Sequence, residues 1–143
     1  MARVDFYVIA AAGEASRQQF ACRLAEKAYR LAHTVHIRVT NREQAEQLDD
    51  LLWTFRDGSF VPHELLTELP SEAPVTIGFG AADGRPGERP ELLINLTGEL
   101  PQDAETFPRI AEIVSSDDDC RRRSRKLYAD YRAQGHSLES HEI

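Results

Sequence analysis

No stretch of this chain comes near the roughly 18 consecutive apolar residues of a membrane-spanning helix. The first residues, MARVDFYVIAAAGEAS, carry Asp5 inside their short apolar run, so they read as a first strand and not as a signal peptide. Cysteine is scarce: Cys22 and Cys120 are the only two. They lie far apart and match no metal-ligand spacing, and they read as reduced thiols in a cytoplasmic protein. Phosphate-binding motifs are absent. There is no G-x-x-x-x-G-K-[ST], and the segment after the first strand has one glycine, Gly13, where a dinucleotide fingerprint needs three. Gly78-Phe79-Gly80 is a lone G-x-G that a strand-ending turn explains. Positive charge is in the minority, with 17 Lys and Arg against 24 Asp and Glu. A net charge of -7 disfavours an extended polyanion as ligand.

The remaining 41% of apolar residues, in a chain of 143, suffices for one domain spanning 1–143. A chain of this size buries about 68–70% of its unfolded surface. The last few residues are expected to be flexible. Residues 3–10 form a buried β-branched and aromatic strand. Ser16 is placed to cap a helix to about Leu31, with Phe20, Leu24, Ala28 and Leu31 on one face. In 34–39, Val35, Ile37 and Val39 alternate with His36 and Arg38, as in a strand. Thr40 or Asn41 caps a second helix with Ala45, Leu48, Leu51 and Leu52 inward. Residues 56–73 read as an unusually apolar loop. Strands follow at 74–79 and 92–96, separated by a turn-rich and mobile segment, 80–90. Residues 107–114 suit a strand, with helix as the competing assignment. Asp117, Asp118 and Asp119 open a last helix that Gly135 stops. Alternating strands and helices predict a three-layer α/β domain with a largely parallel sheet.

Catalytic constellations do not emerge. His33 and His36 point to opposite sides of a strand start, and Asp49 and Asp50 face different ways on a helix. Two other features stand out. Between Cys120 and Arg132 lie six basic residues and one acid, a net +5 that leaves -12 on the rest of the chain. On a helix of 3.6 residues per turn, Cys120, Ser124, Leu127 and Tyr131 form the sheet-facing side. Arg121, Arg125, Tyr128 and Arg132 form the neighbouring stripe. Guanidiniums flanking an aromatic suit a peptide bearing carboxylates and a bulky apolar group. The plain alternative, a solvated basic face, is equally compatible with the spacing. The second feature is the aromatic run Leu51 to His63, LLWTFRDGSFVPH. Trp53 is expected to be at least partly core, and Phe60 to be exposed as an interface anchor.

At these segments the chain resembles the chi subunit of bacterial DNA polymerase III holoenzyme. The resemblance is carried by RVDFYVI, CRLAEKAYR, LDDLLWTFRDGSFVPH, PVTIG, LLINL and RKLYADYRAQGHSLESH, nearly end to end and in order. It implies a Rossmann-like fold without a functional nucleotide site, no cofactor or metal, and a non-enzymatic adaptor in the cytoplasm. The implied partners are the psi subunit of the clamp loader and the acidic C-terminal tail of single-stranded-DNA-binding protein. That tail ends in aspartates, a proline and a phenylalanine. The resemblance implies tail contacts at Arg121, Arg125, Tyr128 and Arg132, with Val114 at the phenylalanine pocket. Ala129 replaces a lysine of the family pattern, which leaves Arg132 or Lys126 to supply that charge. The psi surface implied is Trp53, Phe60, Val61, Pro62 and His63, a surface that also serves a helicase-type partner in some members. Two rivals remain. One is direct single-stranded nucleic-acid binding by the basic helix, against which the -12 elsewhere counts. The other is a degenerate nucleotide-dependent enzyme.

Overall fold

A computed structural model describes residues 2–58, 60–65, 73–79 and 90–143. Residues 80–89 of the turn-rich segment, and residues 59 and 66–72 of the apolar loop, lie outside the described residues. The elements run β1 (Arg3–Val8), α1 (Glu14–Arg30), β2 (Val35–Val39), α2 (Arg42–Thr54), β3 (His63–Leu65), β4 (Val75–Phe79), β5 (Leu92–Asn95), a 3-10 turn (Ala104–Thr106), β6 (Arg109–Val114), α3 (Asp118–Ala133) and β7 (Ser137–Glu142). All seven strands are parallel, in the order β3-β4-β2-β5-β6-β1-β7. One apolar cluster joins α1 and α2 to one face of the sheet, and a second joins α3 to the other. This is the three-layer α/β arrangement that the alternating pattern predicts.

Several elements differ from their sequence reading for local reasons. α1 starts at Glu14, with Gly13 as its N-cap at φ 93°, a left-handed conformation natural only to glycine. Ser16 instead donates its hydroxyl back to the Ala12 carbonyl at 2.8 Å. The residues of α1 that meet the sheet are the small ones, Ala21, Cys22, Ala25 and Ala28, which let the helix sit close. Phe20 and Leu24 flank that contact, and Leu31 is 61% exposed. α2 is capped by Asn41, whose side chain accepts from the Gln44 N–H at 2.9 Å. Gln44 accepts in return from the Thr40 N–H at 3.0 Å, a reciprocal cap. The 56–73 segment is not all loop, since β3 pairs with β4 inside it.

Residues 137–142 form β7 at the edge, in register with β1. Arg3, Asp5, Glu139 and His141 face away from α3, and there β1 and β7 are tied by ions. Asp5 accepts from Arg3 at 3.3 Å, from Arg109 at 3.1 Å and from His141 at 2.9 Å, while Arg3 reaches Glu139 at 2.6 Å. Burial opposes the ionisation of Asp5. Hydrogen bonds from His141 and Arg109, with the charge of Arg3, outweigh it and hold the carboxyl below its ordinary range. Asp5, Glu139 and His141 also have the spacing of a metal cluster, with ligand atoms within 4.8 Å of one another. The guanidiniums of Arg3, shared between Asp5 and Glu139, and of Arg109 on Asp5 already supply positive charge where a cation would bring it.

Candidate functional site

The parallel register places the ends of β1, β6 and β7 side by side, with Val8 opposite Val114 and Phe6 opposite Ser140. Residues 115–117 then turn the chain into α3. Asp117 accepts from the Gly13 N–H at 2.8 Å and from the Ser115 hydroxyl at 2.8 Å, and the Ser116 N–H reaches the Ala11 carbonyl at 3.0 Å. The Gly13 hydrogen bond is foremost among the causes that hold the Asp117 carboxyl below its ordinary pKa. In a nucleotide-binding relative of this architecture, a phosphate occupies the start of the first helix. Here a carboxylate of the chain itself takes that N–H.

Cys120, Leu127 and Tyr131 bury one side of α3 against the sheet. Tyr131 is wholly buried, and its hydroxyl donates to Glu112 at 2.6 Å. Its ring meets Phe6 edge-on at 6.1 Å, and Tyr128 packs on the Phe6 ring at 5.4 Å. With that side fixed, the next stripe of α3 overhangs the strand ends. A cleft of about 220 Å³ results, floored by Phe6, Val8 and Val114 and edged by Arg121, Arg125 and Tyr128. Ser124 and Ser140 complete it. Ser124 therefore faces the cleft and is only half-buried, where the helical wheel had put it on the packing side.

The basic residues divide by what they touch. Arg122 pairs with Asp119 at 3.3 Å, both exposed. Arg123 lies along the turn at Gly98, 3.6 Å from where a Cβ would stand. Arg121 and Arg125 have no ion-pair partner among the described residues. Like charges four apart on a helix cost a few tenths of a kcal/mol. Two unpaired guanidiniums beside an apolar floor are what an anionic group with an apolar neighbour would satisfy. Arg132 is exposed one turn beyond Tyr128 and does not line the cleft.

The second surface is built on α2. Trp53 is 51% exposed and Phe60 64%, so Trp53, expected to be at least partly core, is half-covered and lies outside the two buried clusters. The two rings meet at 5.6 Å. Trp53 also lies on the His63 ring at 4.4 Å, and that ring is fixed by the carbonyls of Val61 at 2.7 Å and Asp49 at 3.2 Å. Val61 is fully buried, the side chain of His63 is covered, and Pro62 is half-buried. Trp53 and Phe60 are thus the contact groups, and Val61 and His63 hold them from beneath.

Other reactive side chains are occupied. Burial pushes the Cys22 thiol up to about 12, which leaves no thiolate at neutral pH. His33 contacts Glu91 at 2.6 Å near the surface, and His36 contacts Thr76 at 2.8 Å in the core. The two histidines do not converge.

The family model described as DNA polymerase III chi subunit, HolC, matches residues 1–139. The chain belongs to this family. It is 43% identical over 143 residues to DNA polymerase III subunit chi of Pseudomonas aeruginosa, covering all of this chain and 98% of that relative. The chi subunit of Haemophilus influenzae is 30% identical over 97% of this chain and 96% of its own length. That of Escherichia coli is 31% identical over 90% and 86%. Membership places the chain among the accessory subunits of DNA polymerase III, in DNA replication, and not in the catalytic subunit. Among the described residues no helix is long and apolar enough to cross a membrane.

Of the five residues expected at the basic site, Arg121, Arg125, Tyr128 and Val114 line one cleft, and Arg132 stands outside it. Phe6 and Val8 were missed. The alternation of β1 could have found them, because Val4, Phe6 and Val8 share a face. Ser140 had no signal, since β7 itself was unread.

Proposed function

We propose that the chain is a non-catalytic adaptor in the polymerase III assembly, binding two partners through two surfaces. The α3 cleft takes the acidic C-terminal tail of single-stranded-DNA-binding protein. The Trp53 and Phe60 surface takes psi, and through it the clamp loader. The carrying observation is the pair of unpaired guanidiniums, Arg121 and Arg125, over the apolar floor of Phe6, Val8 and Val114. A terminal phenylalanine fits the floor, its carboxylate and the preceding aspartates meet the guanidiniums, and Tyr128 forms a wall. Each contact can be modest, because tethering at the fork raises the effective concentration.

The tail contact is charge-driven, so its affinity should fall steadily as salt is raised through the physiological range. A salt-independent affinity, measured by fluorescence anisotropy, would place the binding energy elsewhere. At the other surface, Phe60→Ala should weaken psi by about 2 kcal/mol, the scale of an aromatic hot spot. It should leave tail affinity unchanged and alter stability by less than about 0.5 kcal/mol, since Phe60 is 64% exposed. Co-purification with psi and thermal melting check both. Loss of psi and tail together would contradict two independent surfaces. A helicase-type partner on the same aromatic pair would compete with psi. Direct DNA binding by α3 is the competing reading, and bare single-stranded DNA is therefore the competitor in the tail assay.

A further inference from the structure

In the α1 stripe of Phe20, Leu24, Ala28 and Leu31, Ala28 is buried in the core, Phe20 and Leu24 pack at its edge and Leu31 is exposed. Leu24, Ala28 and Leu31 also line a cavity of about 310 Å³. It lies between the last turns of α1 and the starts of β5 and β6, closed by Tyr7, Leu92 and Pro108. That is the opposite end of the strands from the crevice where open α/β sheets bind nucleotides. It is also the opposite face of β1 from the α3 cleft, since Tyr7 alternates with Phe6 and Val8.

The two cavities share a chemistry. Each has an apolar wall, one tyrosine ring and two cations at its rim. Here the cations are Lys27 and Arg109. Lys27 is exposed and has no partner among the described residues. Arg109 is half-exposed and spends one nitrogen on Asp5 at 3.1 Å. Glu91 also lines the cavity, paired with His33 at 2.6 Å. Lys27 and Arg109 against Glu91 leave one net positive charge in the lining apart from His33, against two at the α3 cleft.

We infer that this cavity is a second, weaker site for the same class of ligand, a peptide C-terminus with an apolar last residue and carboxylates. The choice of ligand rests on the tail-binding reading above. One chain would then hold two tails, one on each face of β1.

The test is titration of the full chain with a synthetic peptide carrying aspartates, a proline and a terminal phenylalanine. It is followed by calorimetry and by amide chemical shifts in wild type, Arg125→Ala, Lys27→Glu and the double variant. Wild type should show two sites, the weaker perturbing amides around Leu31, Glu91 and Arg109. Arg125→Ala should leave that site intact. Lys27→Glu should weaken it at least about tenfold and spare the other. The double variant should lose both. A single site in wild type, abolished by Arg125→Ala and with shifts confined to α3 and its neighbours, would overturn the second site and leave the adaptor reading standing. Saturation without either site would overturn both. A melting curve for Lys27→Glu that matches wild type confirms that an exposed charge, not the fold, was changed.

Discussion

Glu112→Gln should flatten the pH dependence of stability between about pH 4.5 and 7, and at pH 8 it should stand better against wild type than at pH 4.5. Glu112 is buried under α3, where its carboxyl accepts from Tyr131 at 2.6 Å and from Asn95 at 2.7 Å. Burial raises its pKa from the ordinary 4.5 to about 7, against the opposing pull of Tyr131, Asn95 and Arg17. Below pH 4.5 the group is protonated in both the folded and unfolded chain and costs nothing. Between pH 4.5 and 7 the unfolded chain ionises while the folded one does not, so folding loses stability as pH rises. At 1.36 kcal/mol per unit the loss is about 3 kcal/mol, complete above pH 7. Asp5 and Asp117 shift downward, so their contributions change below this window. Gln keeps an acceptor for both donors and never ionises. Chemical denaturation at pH 4.5, 6 and 8 reads the difference. Parallel curves for the two proteins would mean that Glu112 is solvated or ionised throughout.

Tyr131 belongs to the same network. Burial first, and then the neighbouring carboxylate, push its phenol far above the ordinary range, so it stays a donor at every accessible pH. Tyr131→Phe should cost about 1–3 kcal/mol, most at high pH where Glu112 carries its charge. α3 would remain on the sheet, held by Leu127 and Cys120.

Arg125→Ala should weaken tail binding about 10- to 150-fold, the equivalent of roughly 1.5–3 kcal/mol for a hydrogen bond to a charged group. Its guanidinium lines the cleft with no ion-pair partner among the described residues. Arg125→Lys should recover only part of the loss, because an ammonium cannot make two parallel hydrogen bonds to one carboxylate. Arg132→Ala should cost clearly less than Arg125→Ala, since Arg132 lies outside the cleft. Equal losses from the two would extend the site a full turn beyond Tyr128.

The fold was legible where burial is two-sided. Residues such as Val35, Ile37 and Val39, or Leu92 to Leu96, leave little choice but a parallel-sheet core. β7 was illegible because SLESHE is a polar edge strand, specified by its ions to β1 and not by apolar alternation. The α1 face was legible in part: Ala28 is buried and Phe20 and Leu24 pack against the core, but Leu31 is exposed, and Ala21, Cys22 and Ala25, too small to stand out in the apolar pattern, carry the rest of the contact. At the basic site, the α3 stripe was visible at helical spacing, but its floor needed the register of β1, β6 and β7. Helical spacing already set Arg122 and Arg123 apart from the stripe of Arg121 and Arg125, and the structure adds their contacts with Asp119 and the Gly98 turn. At the aromatic surface, sequence marked Phe60, while the exposure of Trp53 followed from His63 filling the space beneath it.

The most direct test of the adaptor account is binding of a labelled C-terminal tail peptide from the same organism's single-stranded-DNA-binding protein. Wild type and Arg125→Ala would be compared at low and physiological salt, with bare single-stranded DNA as competitor. The account predicts binding that requires Arg125, weakens with salt and survives DNA competition. DNA binding without tail binding, or tail binding indifferent to Arg125, would contradict it.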